Sequence, residues 1–515
     1  MRYSCLGLAK REGIMKRREF LLGSSTLALT AMSMRTSQAM TDEFVSYDGM
    51  GQAALVRTGQ VSSLELVEAA IRRIEKINPI LNAVVHKLYD KGRAAAQAPL
   101  PDGPFQGVPY LIKDLSELDG APLTFGSKLF QNNIANMDNG SVERAKQAGL
   151  VIIGKTNTPE FGFISTTESQ LLGAARNPYN TAHHTGGSSG GAAAAVAAGL
   201  VPFAHASDGG GSIRIPASVN GLVGLKPSRG RLFIKQPTPG DVDIVVRLAV
   251  SRSVRDTAQI LNASENKGSD APLPPTGFVD GPSKKRLKIA FSTRTVTGTE
   301  PAPDVAAATR KAAALCADLG HDVDTLTQDI VGPEFLFHFL NIWAAGAHLV
   351  VENARLIGLM QGRWVGPQKM LEPWTLGLAD MFEKNRAKDP DVMKKAVAYS
   401  AQVEAAYTAF FEDYDVLLTP VLSRPPLLIG TQDSAKSFDE LYDSVLDYVP
   451  YTPQYNVAGN PAISLPLFTS TEGLPIGSQF AAPTGDDATL LHLAYELEQA
   501  APWNARWPAI SAYYL

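Results

Sequence analysis

The chain has 515 residues, of which 45% are hydrophobic and 19% charged, and its formal net charge is −4. This length and apolar content suffice for a large core, in several domains or in one large α/β domain. A mildly acidic chain lacks the basic surface that nucleic-acid binding needs, so we expect no nucleic-acid partner. Only two cysteines occur, Cys5 and Cys316. Because Cys5 lies in the N-terminal leader described next, and because no Cys/His cluster has the spacing of a metal site, we expect no internal disulfide, metal or cofactor.

The N-terminus has the features of an export signal. The run Lys16–Leu22 reads Lys-Arg-Arg-Glu-Phe-Leu-Leu, a mildly apolar stretch extends to Met34, and Ser37–Ala39 is a small-x-small cleavage site. The apolar stretch is too short to span a membrane. We expect residues 1–39 to be a twin-arginine signal peptide with Met15 as the true start, and the protein to be periplasmic or secreted without a membrane anchor. An ordinary basic tail is the alternative.

The first elements alternate between helix and strand. Ser62–Glu65 forms a capping box, and the apolar residues after it recur at helical spacing, which predicts a helix that ends at Asn78-Pro79. Further along, the pattern predicts strands at 82–86, 109–113 and 150–154 and a helix at 141–149.

The middle of the chain continues this alternation. Gly190–Gly199 is an alanine-rich helix, small enough to pack tightly against a sheet, and its N-terminal N–H groups point at the region of Ser188. A strand follows at 201–206. Strands alternating with helices favour an α/β fold with a largely parallel core.

The second half contains a long helical region. Residues 263–282 are rich in Ser, Gly and Pro and predict an exposed connection, with strands at 287–292 and 416–419 and a terminal helix at 487–499. Between these strands, about 333–411 reads as a helical insertion that covers the site and shapes the substrate pocket. Core packing is the main expectation for its aromatic residues, which are Phe335, Phe337, Phe339, Trp343, Trp364 and Trp374.

Two serines in glycine-rich frames and one lysine carry the chemistry. Gly186–Gly191 reads Gly-Gly-Ser-Ser-Gly-Gly, Asp208–Pro216 reads Asp-Gly-Gly-Gly-Ser-Ile-Arg-Ile-Pro, and Lys113 lies in an apolar run. A serine hydroxyl is a poor nucleophile until a base takes its proton. Glycines let several backbone N–H groups converge on one point, where they can hold an oxyanion. Two serines and a lysine could therefore pass a proton without a histidine.

These motifs resemble the amidase signature family, whose members hydrolyse amides with a Ser–cis-Ser–Lys triad. The two serine motifs and the lysine motif occur in the family's order, and the two serines, Ser188 and Ser212, stand 24 positions apart. The resemblance implies an α/β amidase signature fold, with a large mixed central β-sheet flanked by helices on both faces, over one catalytic domain from 40 to 515. A closer likeness, to the 6-aminohexanoate-cyclic-dimer hydrolase branch, rests on three runs: Gly107–Leu115, Gly154–Glu160 and Asn456–Pro466.

The resemblance also implies roles. Ser212 is the expected nucleophile, and Ser188, after a cis peptide bond, is the bridging serine. Lys113 is the general base, which requires a pKa lowered by burial. The remaining residues fall into three groups: the oxyanion hole of Gly209, Gly210 and Gly211, the supporting Ser189, Asp208 and Arg214, and one wall of the substrate pocket at Asn456, Gly459 and Pro461. We expect His183 and His184 to be loop residues, because the family needs no histidine base.

The expected activity is hydrolysis of a carbon–nitrogen bond other than a peptide bond in a small linear or cyclic aliphatic amide. Within the family, a peptide amidase, an aryl acylamidase or a general aliphatic amidase stays open, and so does a homodimer. The subunit of a tRNA-dependent amidotransferase shares the signature, but export would separate it from tRNA. From another class, an exported binding protein with an inactive amidase fold is the alternative, although Lys113, Ser188 and Ser212 are all present.

A different hydrolase class matches by letters alone. Gly186–Gly190 fits the Gly-x-Ser-x-Gly nucleophile elbow of α/β-hydrolases, which needs a strand immediately before it and a histidine late in the chain. The residues 177–182 do not read as a strand, and His492, the late candidate, lies in a predicted helix. We therefore disfavour the elbow.

Overall fold

A computed structural model describes residues 43–232, 243–296, 298–360, 362 and 366–515 of the chain. The export signal and Trp364 therefore lie outside the described residues. The helices are α1 (Gly49–Arg57), α2 (Ser63–Leu81), α3 (Tyr89–Gln97), α4 (Gly140–Gln147), α5 (Gly190–Ala197), α6 (Arg214–Val219), α7 (Val254–Ser264), α8 (Pro303–Asp318), α9 (Phe335–Met360), α10 (Pro373–Lys388), α11 (Val392–Phe410), α12 (Phe438–Tyr448), α13 (Pro453–Ala458) and α14 (Asp487–Ala500). The strands are β1 (Val84–Lys87), β2 (Pro109–Lys113), β3 (Val151–Thr156), β4 (Glu168–Ser169), β5 (Gly173–Ala174), β6 (Phe203–Asp208), β7 (Val223–Lys226), β8 (Val246–Ser251), β9 (Lys288–Phe291), β10 (Asp322–Thr325), β11 (Val416–Pro420), β12 (Ala462–Thr469) and β13 (Pro475–Ala481).

Within the described residues, the central sheet has eight strands in the order β10-β9-β11-β13-β12-β7-β8-β6. Strand β9 pairs in parallel with β10 and β11, whereas the pairings from β11 to β6 are antiparallel. The predicted mixed sheet is therefore confirmed, but the prediction of a largely parallel core is wrong. A short turn after Thr469 joins β12 and β13 as antiparallel neighbours, whereas other antiparallel pairs, β11 with β13 and β12 with β7, bring together strands that are distant in the chain.

A second sheet brings the lysine to the serine strands. It has the order β1-β3-β2, and β2 runs parallel to β3 and lies alongside β6. The end of β2 at Lys113 consequently lies beside the end of β6, where Ser207 and Asp208 stand.

Helix α2 starts as predicted and ends later. Ser62 and Glu65 form the reciprocal capping box, which confirms the predicted start. The helix passes through Pro79 to Leu81, so the predicted end at Asn78-Pro79 is wrong. A proline in the last turn removes only one helical hydrogen bond, and the Asn78 side chain accepts the N–H groups of Ala83 and Val84 just beyond the helix, both within 2.8 Å.

Helix α5 packs very closely because it consists of small residues. Each of its residues is buried. A Cβ atom added at Gly191 would lie 2.4 Å from the Asn157 nitrogen and 2.6 Å from the Ala83 carbonyl oxygen. The glycine at this position therefore allows the helix to pack against neighbouring backbone. The N-terminus of the helix directly follows the two serines of the first serine motif.

The region between 333 and 411 contains the three helices α9, α10 and α11. The part Phe335–Ala354 of α9 is long and apolar enough to cross a membrane, with a mean hydropathy of 1.3. However, α9 packs against α10 and α11, and Phe335 and Phe339 belong to a buried apolar cluster. Packing inside the protein accounts for only part of its apolar character, since 39% of the stretch is buried and Phe337 and Leu349 are exposed.

Candidate active site

Lys113 is fully buried at the end of β2, behind the apolar residues Leu111 and Ile112. Its Nζ atom donates to Ser188 Oγ at 2.6 Å and to Ser207 Oγ at 3.0 Å. Burial holds the pKa of Lys113 well below its ordinary value. The Asp208 carboxylate opposes this shift, and the Arg247 guanidinium adds to it. These surroundings favour the neutral form of the amine.

The first serine motif is held by backbone contacts on both sides. The Gly187–Ser188 peptide bond is cis, as the resemblance implies. Ser189 Oγ donates to the Ser207 carbonyl and accepts from the Ser207 N–H, each at 3.3 Å, and so ties the motif to β6. Ser189 therefore has the supporting position predicted for it.

His184 also contacts the first serine motif, and its surroundings do not indicate that it acts as a base. Its Nδ1 atom accepts the Gly186 N–H at 2.7 Å. Burial lowers the pKa of His184 to about 3, so the ring stays neutral. The prediction of a loop residue agrees with this position. The nucleophile-elbow alternative fails, because no strand directly precedes Ser188 in this described segment and because His492, on α14, contacts the Gly281 carbonyl instead.

The second serine motif is folded around the Asp208–Arg214 pair. Arg214 Nε and Nη2 donate to the two carboxylate oxygens of Asp208, each at 2.9 Å, and both side chains are buried. Burial by itself would raise the pKa of Asp208, but the Arg214 charge and the Asn456 amide outweigh it and lower the pKa to about 2. The predicted supporting roles of Asp208 and Arg214 agree with this geometry, because the pair closes the loop that carries Ser212.

One predicted oxyanion donor is engaged elsewhere. The Gly211 N–H donates to Asp208 Oδ1 at 2.7 Å, so the prediction that Gly211 contributes to the oxyanion hole is at odds with the structure. The carboxylate uses this N–H to stabilise the loop. Gly209 and Gly210 stay candidates, and Gly210 and Ser212 line the cavity described below.

The structure corrects the prediction that Asn456, Gly459 and Pro461 form one wall of the substrate pocket. Asn456 Nδ2 donates to Asp208 Oδ1 at 2.9 Å, and Asn456 Oδ1 accepts from Arg214 at 2.6 Å, so this side chain supports the Ser212 loop from behind. Gly459 ends α13 with a φ of 86°. The Pro461 carbonyl accepts from Ala482. None of the three lines the cavity beside Ser212 within the described residues, because the motif turns inward and Pro453 forms the wall.

An apolar cavity of about 70 Å³ opens beside Ser212 and Gly187. Aromatic residues from two distant parts of the chain form much of its wall: Phe163, Phe339, Trp343 and Trp374. Aliphatic residues, glycines and the two serines Ser165 and Ser212 supply the rest, and no charged side chain lines it among the described residues. Phe335 lies in the core and Phe337 is 50% exposed. The helical region therefore contributes both core and wall, in line with the prediction.

The structure brings Lys113 and Ser188 into hydrogen-bond contact, and Ser212 lines the same cavity as Gly187, the residue before Ser188. Within the described part of the chain, no hydrogen bond joins Ser188 Oγ to Ser212 Oγ. Hydrogen bonds of catalytic groups are often long in the absence of substrate and shorten when it binds. Ser207 was missed by the sequence analysis. Its only signal was its position at the end of a predicted strand, one residue before Asp208.

One group of side chains could in principle hold a metal. His348 and Glu352 on α9 and Glu383 on α10 meet in this part of the described structure. Glu383 lies 3.0 Å from His348 Nδ1 and Glu352 lies 3.2 Å from His348 Nε2. A metal ion binds one ring nitrogen, whereas a carboxylate lies beside each nitrogen of this ring. The group does not line the cavity beside Ser212.

The sequence profile of the family described as "Amidase" matches residues 65–491. This chain belongs to the amidase family. The match covers both serine motifs and the lysine, so the amidase hydrolyses carbon–nitrogen bonds of amides, and its amidase signature fold is shared with solved members.

Relatives of this amidase align along almost their whole length. The Mycobacterium tuberculosis protein named "Putative amidase AmiC" is 40% identical over 471 residues, which are 91% of this chain and 98% of the relative. The structure of a 6-aminohexanoate cyclic dimer hydrolase with its substrate superposes with a TM-score of 0.81 at 34% identity, over 90% of this chain and 99% of that one. A bacterial aryl acylamidase structure has a TM-score of 0.79 at 26% identity, over 90% and 98% of the two chains.

Proposed function

We propose that this amidase works by acylation of Ser212, with Ser188 and Lys113 relaying the proton. The observation that carries the proposal is the buried contact of 2.6 Å between Lys113 Nζ and Ser188 Oγ. The hydrogen-bond partners of this amine are hydroxyls rather than a carboxylate, and desolvation by burial outweighs the attraction of the Asp208 carboxylate, so the neutral amine is favoured. A neutral amine can take the Ser188 proton while Ser188 takes the proton of the attacking serine.

In the acylation step, Ser212 Oγ bonds to the amide carbon as its proton passes to Ser188 Oγ and the Ser188 proton passes to Lys113 Nζ. The carbonyl oxygen becomes an oxyanion, and the backbone N–H groups of Gly209 and Gly210 are its proposed donors. One such donor is worth ~3–4 kcal/mol. The carbon–nitrogen bond then breaks, and the proton returns through Ser188 to the leaving amine. Water attacks the ester by the same relay and releases the acid.

The proposed substrate is a small linear or cyclic aliphatic amide whose acyl group is neutral and apolar. An uncharged aromatic and aliphatic wall favours such a group, since a carboxylate there would lose its hydration without gaining a partner. The similarity to the 6-aminohexanoate cyclic dimer hydrolase supports the same substrate class.

An aryl acylamidase activity is the second candidate. The aromatic side chains of the cavity can stack on an aryl group, and the solved aryl acylamidase has the same fold. The two candidates differ in the group on the amide nitrogen.

The test is hydrolysis of a panel by the purified full chain: 6-aminohexanoate cyclic dimer, aliphatic amides, anilides and C-terminal peptide amides. We expect turnover of at least one member and none in Ser212→Ala. Preference for the anilides would favour the second candidate. Equal turnover in wild type and Ser212→Ala would contradict the assignment of the nucleophile, and silence of the wild type on the whole panel would favour an inactive binding protein.

We also propose that the protein is exported by the twin-arginine route. The support is the pattern Lys-Arg-Arg-Glu-Phe-Leu-Leu at Lys16–Leu22 followed by Ser37–Ala39. Cell fractionation tests it. We expect the shorter, processed protein outside the cytoplasm and retention of the double variant Arg17→Lys, Arg18→Lys inside. Equal export of both proteins would contradict this route.

A further inference from the structure

Glu160 is a buried acid from the motif Gly154–Glu160 that the proposed mechanism does not use. It is 2% exposed and lies in a short 3-10 helix, Glu160–Gly162, after β3. Its Oε1 atom accepts from Ser127 Oγ at 2.6 Å. Its Oε2 atom accepts from the Glu372 N–H at 2.9 Å and from Thr375 Oγ1 at 2.6 Å. Burial raises the pKa of Glu160, and these three donors oppose the rise.

Two of these donors belong to the start of helix α10. Glu372 is the residue before the helix and Thr375 lies in its first turn, and the Glu372 side chain makes no capping bond of its own. The first N–H groups of a helix need an acceptor, and a carboxylate is favoured there by the helix dipole. Glu160 therefore caps α10 from a segment more than 200 residues earlier in the chain.

The same short segment touches both the active site and the cavity. A Cβ atom added at Gly162 would lie 2.9 Å from Ser188 Oγ, so its backbone abuts the bridging serine. The Phe163 carbonyl next to it accepts from Trp374 Nε1 at 2.9 Å and from Trp343 Nε1 at 3.2 Å. Both indole rings line the cavity beside Ser212.

We propose that Glu160 is a positioning residue that sets which acyl groups the enzyme accepts. By capping α10 from the segment that carries Gly162 and Phe163, it fixes the aromatic wall at one distance from the two serines. Without this cap, the first turn of α10 and Trp374 lose their common anchor, and the apolar acyl group loses contacts. This inference rests on the proposed function, because it takes the cavity as the acyl site.

Glu160→Gln tests the proposal, measured with hexanamide and acetamide. Glutamine keeps the volume but has one acceptor oxygen and an NH₂ group that faces donors. We expect the kcat/KM of hexanamide relative to acetamide to fall about tenfold, mainly through KM, as for the loss of a buried hydrogen bond. An unchanged ratio in folded Glu160→Gln would overturn the proposal.

Asp256→Asn is the matched control. Asp256 is also buried, and its carboxylate accepts the N–H groups of Gly49 (2.7 Å) and Met50 (3.0 Å) at the start of α1, away from the cavity. We expect it to lower thermal stability and leave the selectivity ratio unchanged, and an equal fall in ratio would overturn the proposal. If Glu160→Gln does not fold, Thr375→Val should lower the ratio and Thr375→Ser should restore it. Equal ratios for these two variants would overturn the proposal.

A second readout separates this inference from the proposed function. If the wild type hydrolyses no amide, the proposed function fails, but the cap can still be tested by acrylamide quenching of tryptophan fluorescence. We expect quenching to increase in Glu160→Gln relative to wild type and Asp256→Asn, because Trp343 and Trp374 share the Phe163 anchor. Equal quenching in all three proteins would overturn the cap.

Discussion

Two buried lysines, Lys155 and Lys113, differ in the group that contacts the amine. Lys155 Nζ lies 2.6 Å from Asp114 Oδ1, so this lysine is one half of a buried ion pair. Lys113 instead meets the hydroxyls of Ser188 and Ser207. Burial lowers the pKa of both lysines, but at Lys155 the carboxylate of Asp114 opposes it directly. The partner, rather than burial alone, makes Lys113 the proposed base.

We predict that Lys113→Met lowers kcat by about 10³-fold, within the range of general acid–base catalysis. Methionine keeps most of the side-chain volume and removes the amine, so folding should persist. Steady-state kinetics beside a thermal unfolding curve check this. Full activity in a folded variant would contradict the relay.

Arg247 should influence the pKa of the Lys113 amine. It lies opposite Ser207 in the pairing of β6 with β8, and its charge adds to the lowering of the Lys113 pKa. In Arg247→Met the Lys113 pKa rises, so the acidic limb of kcat/KM should move to higher pH, because the lysine must be neutral to act. Arg247→Lys keeps the charge and should leave the limb in place. A limb that moves equally in both variants, or in neither, would count against this effect.

At the scale of elements, each strand that the local patterns predicted occurs within a few residues of its predicted place, but the central strands β7, β8, β12 and β13 were not predicted. Strand β2 has the predicted bounds, and α5 starts at the predicted Gly190. Errors occurred where tertiary contacts supply hydrogen bonds that a local pattern does not reveal, as at the end of α2. Local patterns also did not predict whether strands pair in parallel or antiparallel, since this depends on which strands meet in the fold rather than on their order in the chain.

Helix α5 offers a test of close packing. Gly191→Ala would place a methyl group against the backbone of Asn157 and Ala83, which should cost about 1–3 kcal/mol by overpacking. It should also lower activity, because α5 begins beside Ser188. Gly281→Ala is the control, since no atom lies within 4 Å of its Cβ position. Equal unfolding temperatures for the two variants would contradict this packing.

At the scale of the whole molecule, the active site joins parts that are far apart in sequence. The lysine comes from β2, the serines from the loops around α5 and β6, and the cavity wall from the segment at Phe163 together with α9, α10 and α12. Such a site can form only when both sheets and the helical region have packed. The proposed chemistry at this site uses side chains and backbone of the chain itself.

We therefore predict that a chelator leaves amide turnover unchanged. The group of His348, Glu352 and Glu383 does not line the cavity, and the proposed relay uses no metal. Activity measured before and after dialysis against EDTA checks this. Loss of activity that an added divalent metal restores would contradict the relay as the complete mechanism.

The sequence by itself determined the family of this protein. The serine spacing, the glycine frames and Lys113 indicated the amidase family, because these short motifs can be recognised without knowing how the rest of the chain folds. Only the tertiary structure decided which N–H groups are free, since Gly211 is engaged by Asp208. It also decided that Asn456 supports a loop rather than a pocket, and that Ser207 touches the lysine. Each of these depends on contacts between distant segments, and a linear pattern does not contain the direction in which a side chain or an N–H group points.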